Sequence, residues 1–156
     1  MYRKPWWRDS GFCGACESFP GPAAATRDTS EDSRSIYRLT SFIAGKPGKE
    51  WSKLPPHERR ATILTQLSTL FGSKVAHHPS EYFEQQWSSE EWSLGCPCPF
   101  TPPGVLTKAG KGLAEPHGRI HFVGTGMAVQ WKGYMEGALT SGIRGAEEVS
   151  RLLRNT

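Results

Sequence analysis

The sequence predicts a mixed α+β or α/β chain, and three patterns carry that prediction. Arg119 to Val123 is a β-prone run stopped by Gly124, and from Tyr134 onward the apolar residues recur at helical spacing, which gives strand, loop, helix. Ile63, Leu64, Leu67, Leu70 and Phe71 form a second amphipathic pattern, opened by Pro55-Pro56 and stopped by Gly72. Ile36, Leu39, Phe42 and Ile43 mark a half-buried strand over Ile36 to Ala44.

Taken in order, residues 2–7 predict an aromatic-rich strand end, and Gly11 to Glu17 a turn into a second strand. Pro20 to Ser35 has no apolar period and predicts a loop around a weak strand at Ala23 to Arg27. The strand over Ile36 to Ala44 ends in Gly45-Lys46-Pro47-Gly48, a turn signal. The helix over residues 55–71 carries Glu58 in its first turn, where a carboxylate complements the helix dipole, and its stripe predicts core packing. From Tyr82 a strand-like start gives way to a loop holding Trp87 and Trp92, and the prolines of Gly95 to Pro103 exclude regular structure. In the last helix Leu139, Ile143, Ala146 and Leu153 predict one buried stripe. Gly142 and Gly145 beside it each cost about 1 kcal/mol against alanine, so a backbone or ligand is expected to come close there. A helix N-terminus facing a glycine-bearing loop offers free N–H groups to an electron-rich ligand; tight core packing explains the glycines equally well.

Composition narrows the alternatives. The 156 residues suit one domain with a real core. The net charge of +4 comes from scattered bases: Arg3, Lys4 and Arg8 interleave with Tyr2, Trp6 and Trp7, no basic block follows, and no nucleic-acid partner is expected. Cys13, Cys16, Cys96 and Cys98 could describe a four-thiolate zinc site, but the two pairs lie far apart and structural zinc modules close short loops, so no metal is expected. His77-His78 point apart on a strand and have no acidic partner at ligand spacing. No apolar run approaches the roughly 18 residues of a membrane span. There is no signal-like start, and the only asparagine, Asn155, makes no sequon, which favours an intracellular over a secreted chain.

Gly118-Arg119-Ile120-His121-Phe122-Val123-Gly124-Thr125, Trp131, Gly133-Tyr134-Met135-Glu136-Gly137-Ala138 and Ser141-Gly142-x-Arg144 resemble the C-terminal signature of the flavin-containing amine oxidases, in the monoamine oxidase-like branch. Tyr2-Arg3-Lys4-Pro5-Trp6-Trp7-Arg8, Glu58-Arg59-Arg60, Trp87, Glu90-Glu91-Trp92-Ser93-x-Gly95-Cys96-Pro97 and Pro102-Pro103-Gly104-Val105-Leu106-Thr107 resemble the same family in the same order. The resemblance implies the C-terminal portion of a two-domain FAD-linked fold. Residues 1–104 would belong to the mixed sheet and helices of the substrate-binding domain, and residues 105–156 would form the final strand–loop–helix of the FAD-binding domain.

It also implies FAD as cofactor and a small amine as substrate, oxidised with oxygen and water to an aldehyde, ammonia and hydrogen peroxide. Trp87, Cys96, Gly124, Thr125, Gly133 and Met135 would bind the cofactor, Cys96 standing where animal monoamine oxidases form a flavin thioether. Tyr134 would be the catalytic residue, one wall of an aromatic cage. The chain departs from the family at Gly126, Met127 and Val129, where Glu, Thr and Thr are usual, and at Pro97, the place of the second cage tyrosine. It also lacks the family's Gly-x-Gly-x-x-Gly unit and flavin-proximal lysine. The resemblance therefore implies a truncated oxidase, incomplete by itself, whose partner would be an N-terminal FAD-binding half or a second copy of the chain. The alternative is a non-catalytic remnant or partner-binding module.

Overall fold

The computed structural model describes residues 1–96 and 101–154. The chain divides into two compact units, Met1–Gln85 and Gln86–Thr156.

The first unit is built on a three-stranded antiparallel sheet in the order β1 (Cys16–Glu17), β2 (Ala23–Asp28), β3 (Leu39–Ile43). Its register pairs Cys16 with Thr26 and Thr26 with Ser41. The expected strand at residues 2–7 does not form. Tyr2 makes one antiparallel bridge to Tyr37, and helix α1 (Trp6–Asp9) follows. Trp6 and Trp7 are both buried, whereas in a strand with one face on the core and one in solvent adjacent side chains alternate between the two. A helical turn behind Pro5, closed by the Arg8 N–H on the Pro5 carbonyl, brings both rings into the core. There Tyr2, Trp6, Trp7 and Phe71 meet edge to face at centroid distances of 5.5–5.8 Å.

Gly45-Lys46-Pro47-Gly48 reads as a turn but opens a helix, α2 (Gly45–Ser52). Pro47 is tolerated in its first turn, where the missing N–H would have no helical partner. A Cβ on Gly48 would press on Ile43 Cγ2 at 3.1 Å, so glycine lets α2 follow β3 closely. The expected helix forms as α3 (Pro56–Phe71) and ends at Gly72, whose φ of +62° closes it with N–H bonds to Ser68 and Thr69 carbonyls. Ile63, Leu64, Leu67 and Phe71 are buried on the predicted stripe. Gln66 fastens α3 to the start of β2, accepting from the Ala23 N–H at 3.0 Å and donating to the Ala23 and Pro20 carbonyls. Asp28 ties β2 to α1, accepting from Trp7 Nε1 at 2.9 Å and Arg8 Nε at 2.8 Å. No strand forms at Tyr82; the segment is irregular up to a 3-10 turn at Trp87–Ser89.

The second unit holds α4 (Val105–Ala109), a 3-10 turn at Thr125–Met127 and the long helix α5 (Met135–Arg154). Two expectations are corrected here. Arg119 to Val123 is not a strand: only a His117–Ile120 bridge forms, and Ile120, Phe122 and Val123 are exposed. A strand needs a hydrogen-bonding neighbour, and none lies beside this run among the described residues. The stripe of α5 is not buried either. Leu139 is 59% and Ile143 53% exposed, while Gly137, Ser141 and Gly145 are the buried residues. The helix docks on its small, polar face because only there does the 121–131 segment approach it.

Candidate functional site

The geometry of the site comes from how that segment lies on α5. A Cβ on Gly145 would overlap Val123 Cγ1, so a side chain comes close there instead of the expected backbone or ligand; at Gly142 the space beside the backbone is open. Ser141 Oγ accepts the Gly124 N–H at 3.2 Å. Arg144 Nη2 donates to the Phe122 carbonyl at 2.8 Å, and Arg144 Nη1 to Glu148 Oε1 at 2.6 Å. His121 Nδ1 lies 2.9 Å from Glu148 Oε2. The hydrogen bond from His121, then that from Arg144, holds the Glu148 carboxyl below the usual carboxylate range.

Gly124 has φ +126° and ψ 169°, a conformation open only to glycine. It turns the chain into Thr125, whose hydroxyl works in both directions: it donates to the Tyr134 carbonyl at 2.9 Å and accepts the Gly133 N–H at 2.7 Å. This clamp closes residues 125–134 into a loop at the N-terminus of α5. Gly133 has φ +89° and Trp131 φ +55°, and the Trp131 carbonyl accepts the Tyr134 N–H at 3.0 Å. The Tyr134 ring meets Trp131 edge to face at 5.9 Å and is 66% exposed.

Five of the seven residues singled out from the sequence therefore come together: Gly124, Thr125, Gly133, Tyr134 and Met135. The Met135 N–H has no acceptor among the described residues, and its side chain is 90% exposed. Trp87, on its 3-10 turn, and Cys96 are both exposed in the same unit. No described hydrogen bond or ring contact joins either to the loop. Pro97 lies outside the described residues, as does Cys98 of the second cysteine pair. Cys13 and Cys16 carry free thiols.

The residues that hold the loop, Ser141, Arg144 and Glu148 with His121, escape a reading that follows apolar periodicity. Their signal is a second stripe at 137, 141, 144–145 and 148, small or polar at every step.

Residues 1–150 match the family model of the flavin containing amine oxidoreductases. The flavin-containing amine oxidase of Oncorhynchus mykiss is 39% identical over 150 residues, covering 95% of this chain and 29% of the relative. A probable flavin-containing monoamine oxidase A of Dictyostelium discoideum is 37% identical over 156 residues, covering 100% of this chain and 34% of the relative. A solved structure of wild-type putrescine oxidase bound to putrescine superposes with a TM-score of 0.87 at 27% identity, over 96% of this chain and 33% of that one. The chain thus spans about a third of the length of the proteins it matches. With the model matching nearly end to end, the chain belongs to the flavin-containing amine oxidoreductase family.

Proposed function

We propose that this chain supplies the C-terminal, flavin- and amine-facing part of an FAD-dependent, monoamine oxidase-like enzyme that converts an amine, oxygen and water to an aldehyde, ammonia and hydrogen peroxide. In this reading residues 1–104 serve the substrate-binding side and residues 105–156 the FAD-binding side, and the rest of the flavin site comes from an N-terminal half or a second copy. The observation that carries it is the clamped loop, which presents the Tyr134 ring and the Met135 N–H, unpaired among the described residues, at the start of a 20-residue helix.

The residues present fit a flavin. Nothing lies within 4 Å of where a Cβ would stand on Gly124, Gly126 or Gly133, so a planar ligand can reach the backbone there. The N–H groups of Thr125, Gly126 and Met135 are without acceptors among the described residues and can donate to ligand oxygens. Bound FAD would supply the redox chemistry, accepting a hydride equivalent from the amine carbon and passing the electrons to oxygen. The protein's part is orientation and electrostatics. The Met135 N–H, with the partial positive charge of α5 behind it, stabilises negative charge on an oxygen brought against it. The Tyr134 ring offers a π face to the incoming amine, worth about 0.5–2 kcal/mol. Trp87 is assigned to the ring system of the flavin and Cys96 to its edge. The Thr125 hydroxyl, engaged on both sides, acts on the cofactor by holding the loop.

A second reading, a non-catalytic module that binds a partner, is favoured by the exposed apolar stripe of α5. One experiment separates them. Fused behind the first two thirds of a monoamine oxidase relative, the chain is expected to give a yellow protein that releases peroxide from simple amines. Tyr134→Ala in that fusion should lower turnover with the flavin absorbance retained. A soluble fusion without flavin absorbance refutes the oxidase reading.

A further inference from the structure

We infer that Arg144 is a positioning residue for the flavin-facing loop, acting through Ser141 and Glu148; the inference rests on the flavin reading above. The segment entering the loop runs antiparallel along α5 and is fastened at three successive points: His121 to Glu148, Phe122 to Arg144 and Gly124 to Ser141. Arg144 stands at the centre of this strap. One arm of its planar fork is anchored on Glu148; the other reaches the Phe122 carbonyl at 2.8 Å and Ser141 Oγ at 3.4 Å.

Ser141 Oγ is thereby held where it accepts the Gly124 N–H. Gly124 in turn sets the start of the Thr125 clamp on Gly133 and Tyr134. The height of the loop along α5, and with it the placement of Tyr134 and Met135, follows from where one guanidinium sits. A lysine offers a point charge and cannot serve Glu148, the Phe122 carbonyl and Ser141 together, so charge alone does not replace the fork. Apolar contact contributes where Val123 and Ala128 lie against Gly145 and Gly137, while Leu139 and Ile143 stay exposed, so the polar bonds set the register of the strap.

The test is amide hydrogen exchange of the full chain by NMR, comparing wild type with Arg144→Lys, Glu148→Gln and Ser141→Ala, followed by titration with FAD up to millimolar concentration. Expected is exchange about tenfold faster at the Gly124 and Gly133 amides in all three variants, with the α5 amides of Val149 and Ser150 unchanged as a control on unfolding of the same unit. The Thr125, Gly126 and Met135 amide shifts induced by FAD should then need about tenfold more FAD in the variants. Unchanged exchange at Gly124 and Gly133 overturns the inference, as does acceleration spread equally over Val149 and Ser150. Faster local exchange with unaltered FAD response also overturns it and leaves the flavin reading standing. If wild type alone shows no FAD response, as a chain supplying only part of a flavin site allows, the exchange rates decide whether Arg144 holds the loop, and the flavin reading is decided by the fusion described above. Glu148→Gln replaces one of the two engaged carboxylate oxygens by a donor-only NH2 while keeping the side chain's size, so the comparison survives the loss of either other variant.

Discussion

Alanine at Gly137 and alanine at Gly142 are expected to change stability in opposite directions, although both are glycine-to-alanine changes inside one helix. In an open helix interior alanine gains about 1 kcal/mol over glycine. At Gly142 nothing lies within 4 Å of the added Cβ, so the gain should appear undiminished. At Gly137 the Cβ would stand 2.9 Å from the Trp131 carbonyl carbon, closer still to its oxygen, and 3.1 Å from Ala128 Cβ. The struck atoms are backbone and cannot swing away. Trp131 is held at φ +55° while its carbonyl accepts the Tyr134 N–H. Overpacking against a rigid neighbour costs about 3 kcal/mol at the upper end, and subtracting the propensity gain leaves a net loss of about 2 kcal/mol.

At roughly 4–8 °C per kcal/mol for a unit of this size, Gly137→Ala should melt about 8–16 °C lower and Gly142→Ala about 4–8 °C higher. Circular dichroism during heating measures both, and amide exchange within α5 reads the same differences locally. Gly137→Ala should also loosen the Tyr134 turn, so its FAD response should weaken while that of Gly142→Ala holds. Melting shifts of the same sign in the two variants would refute the close packing of α5 on Trp131.

Asp28 gives a pH-dependent prediction in the first unit. Burial raises its pKa, but hydrogen bonds from Arg8, Ser30 and Trp7 outweigh it and set the folded value well below the ordinary carboxylate value of about 3.9. A depressed folded pKa contributes stability above the unfolded value and loses it as pH falls toward the folded one. Asp28→Asn should therefore be less stable than wild type in urea titrations at pH 6, and the gap should narrow steadily below about pH 4; a gap independent of pH speaks against the assignment. Cys96 gives the last prediction. In the flavin-loaded fusion, acid denaturation and centrifugation should leave flavin in the supernatant, because Pro97 follows Cys96 where the thioether-forming enzymes carry tyrosine. Flavin remaining with the pellet, and lost on Cys96→Ala, would establish the bond.

The sequence by itself determined those elements whose signals are local. The α3 stripe with Pro56 at its start and Gly72 at its end, the β3 apolar run and the start of α5 near Tyr134 all depend on neighbours within a turn or two. The family followed from the motif, because Gly133 through Ala138 and Ser141-Gly142-x-Arg144 form a long, ordered match.

Tertiary structure decided the rest, wherever a residue's role depends on distant chain. Trp6 and Trp7 became a helical turn because the core needed both rings; the opening of α2 overrode its turn signal because Gly48 could lie against Ile43. Arg119 to Val123 has strand propensity without a neighbouring strand, and propensity alone does not satisfy backbone N–H and C=O groups. The face α5 buries was also beyond periodicity. Hydrophobicity picked the Leu139–Ile143 stripe, yet small residues at 137, 141 and 145 admit the Trp131 carbonyl, the Gly124 N–H and the Val123 side chain, and Arg144 and Glu148 hold the segment there. The motif named the loop at the start of α5; only the packed helix showed which residues keep that loop in place.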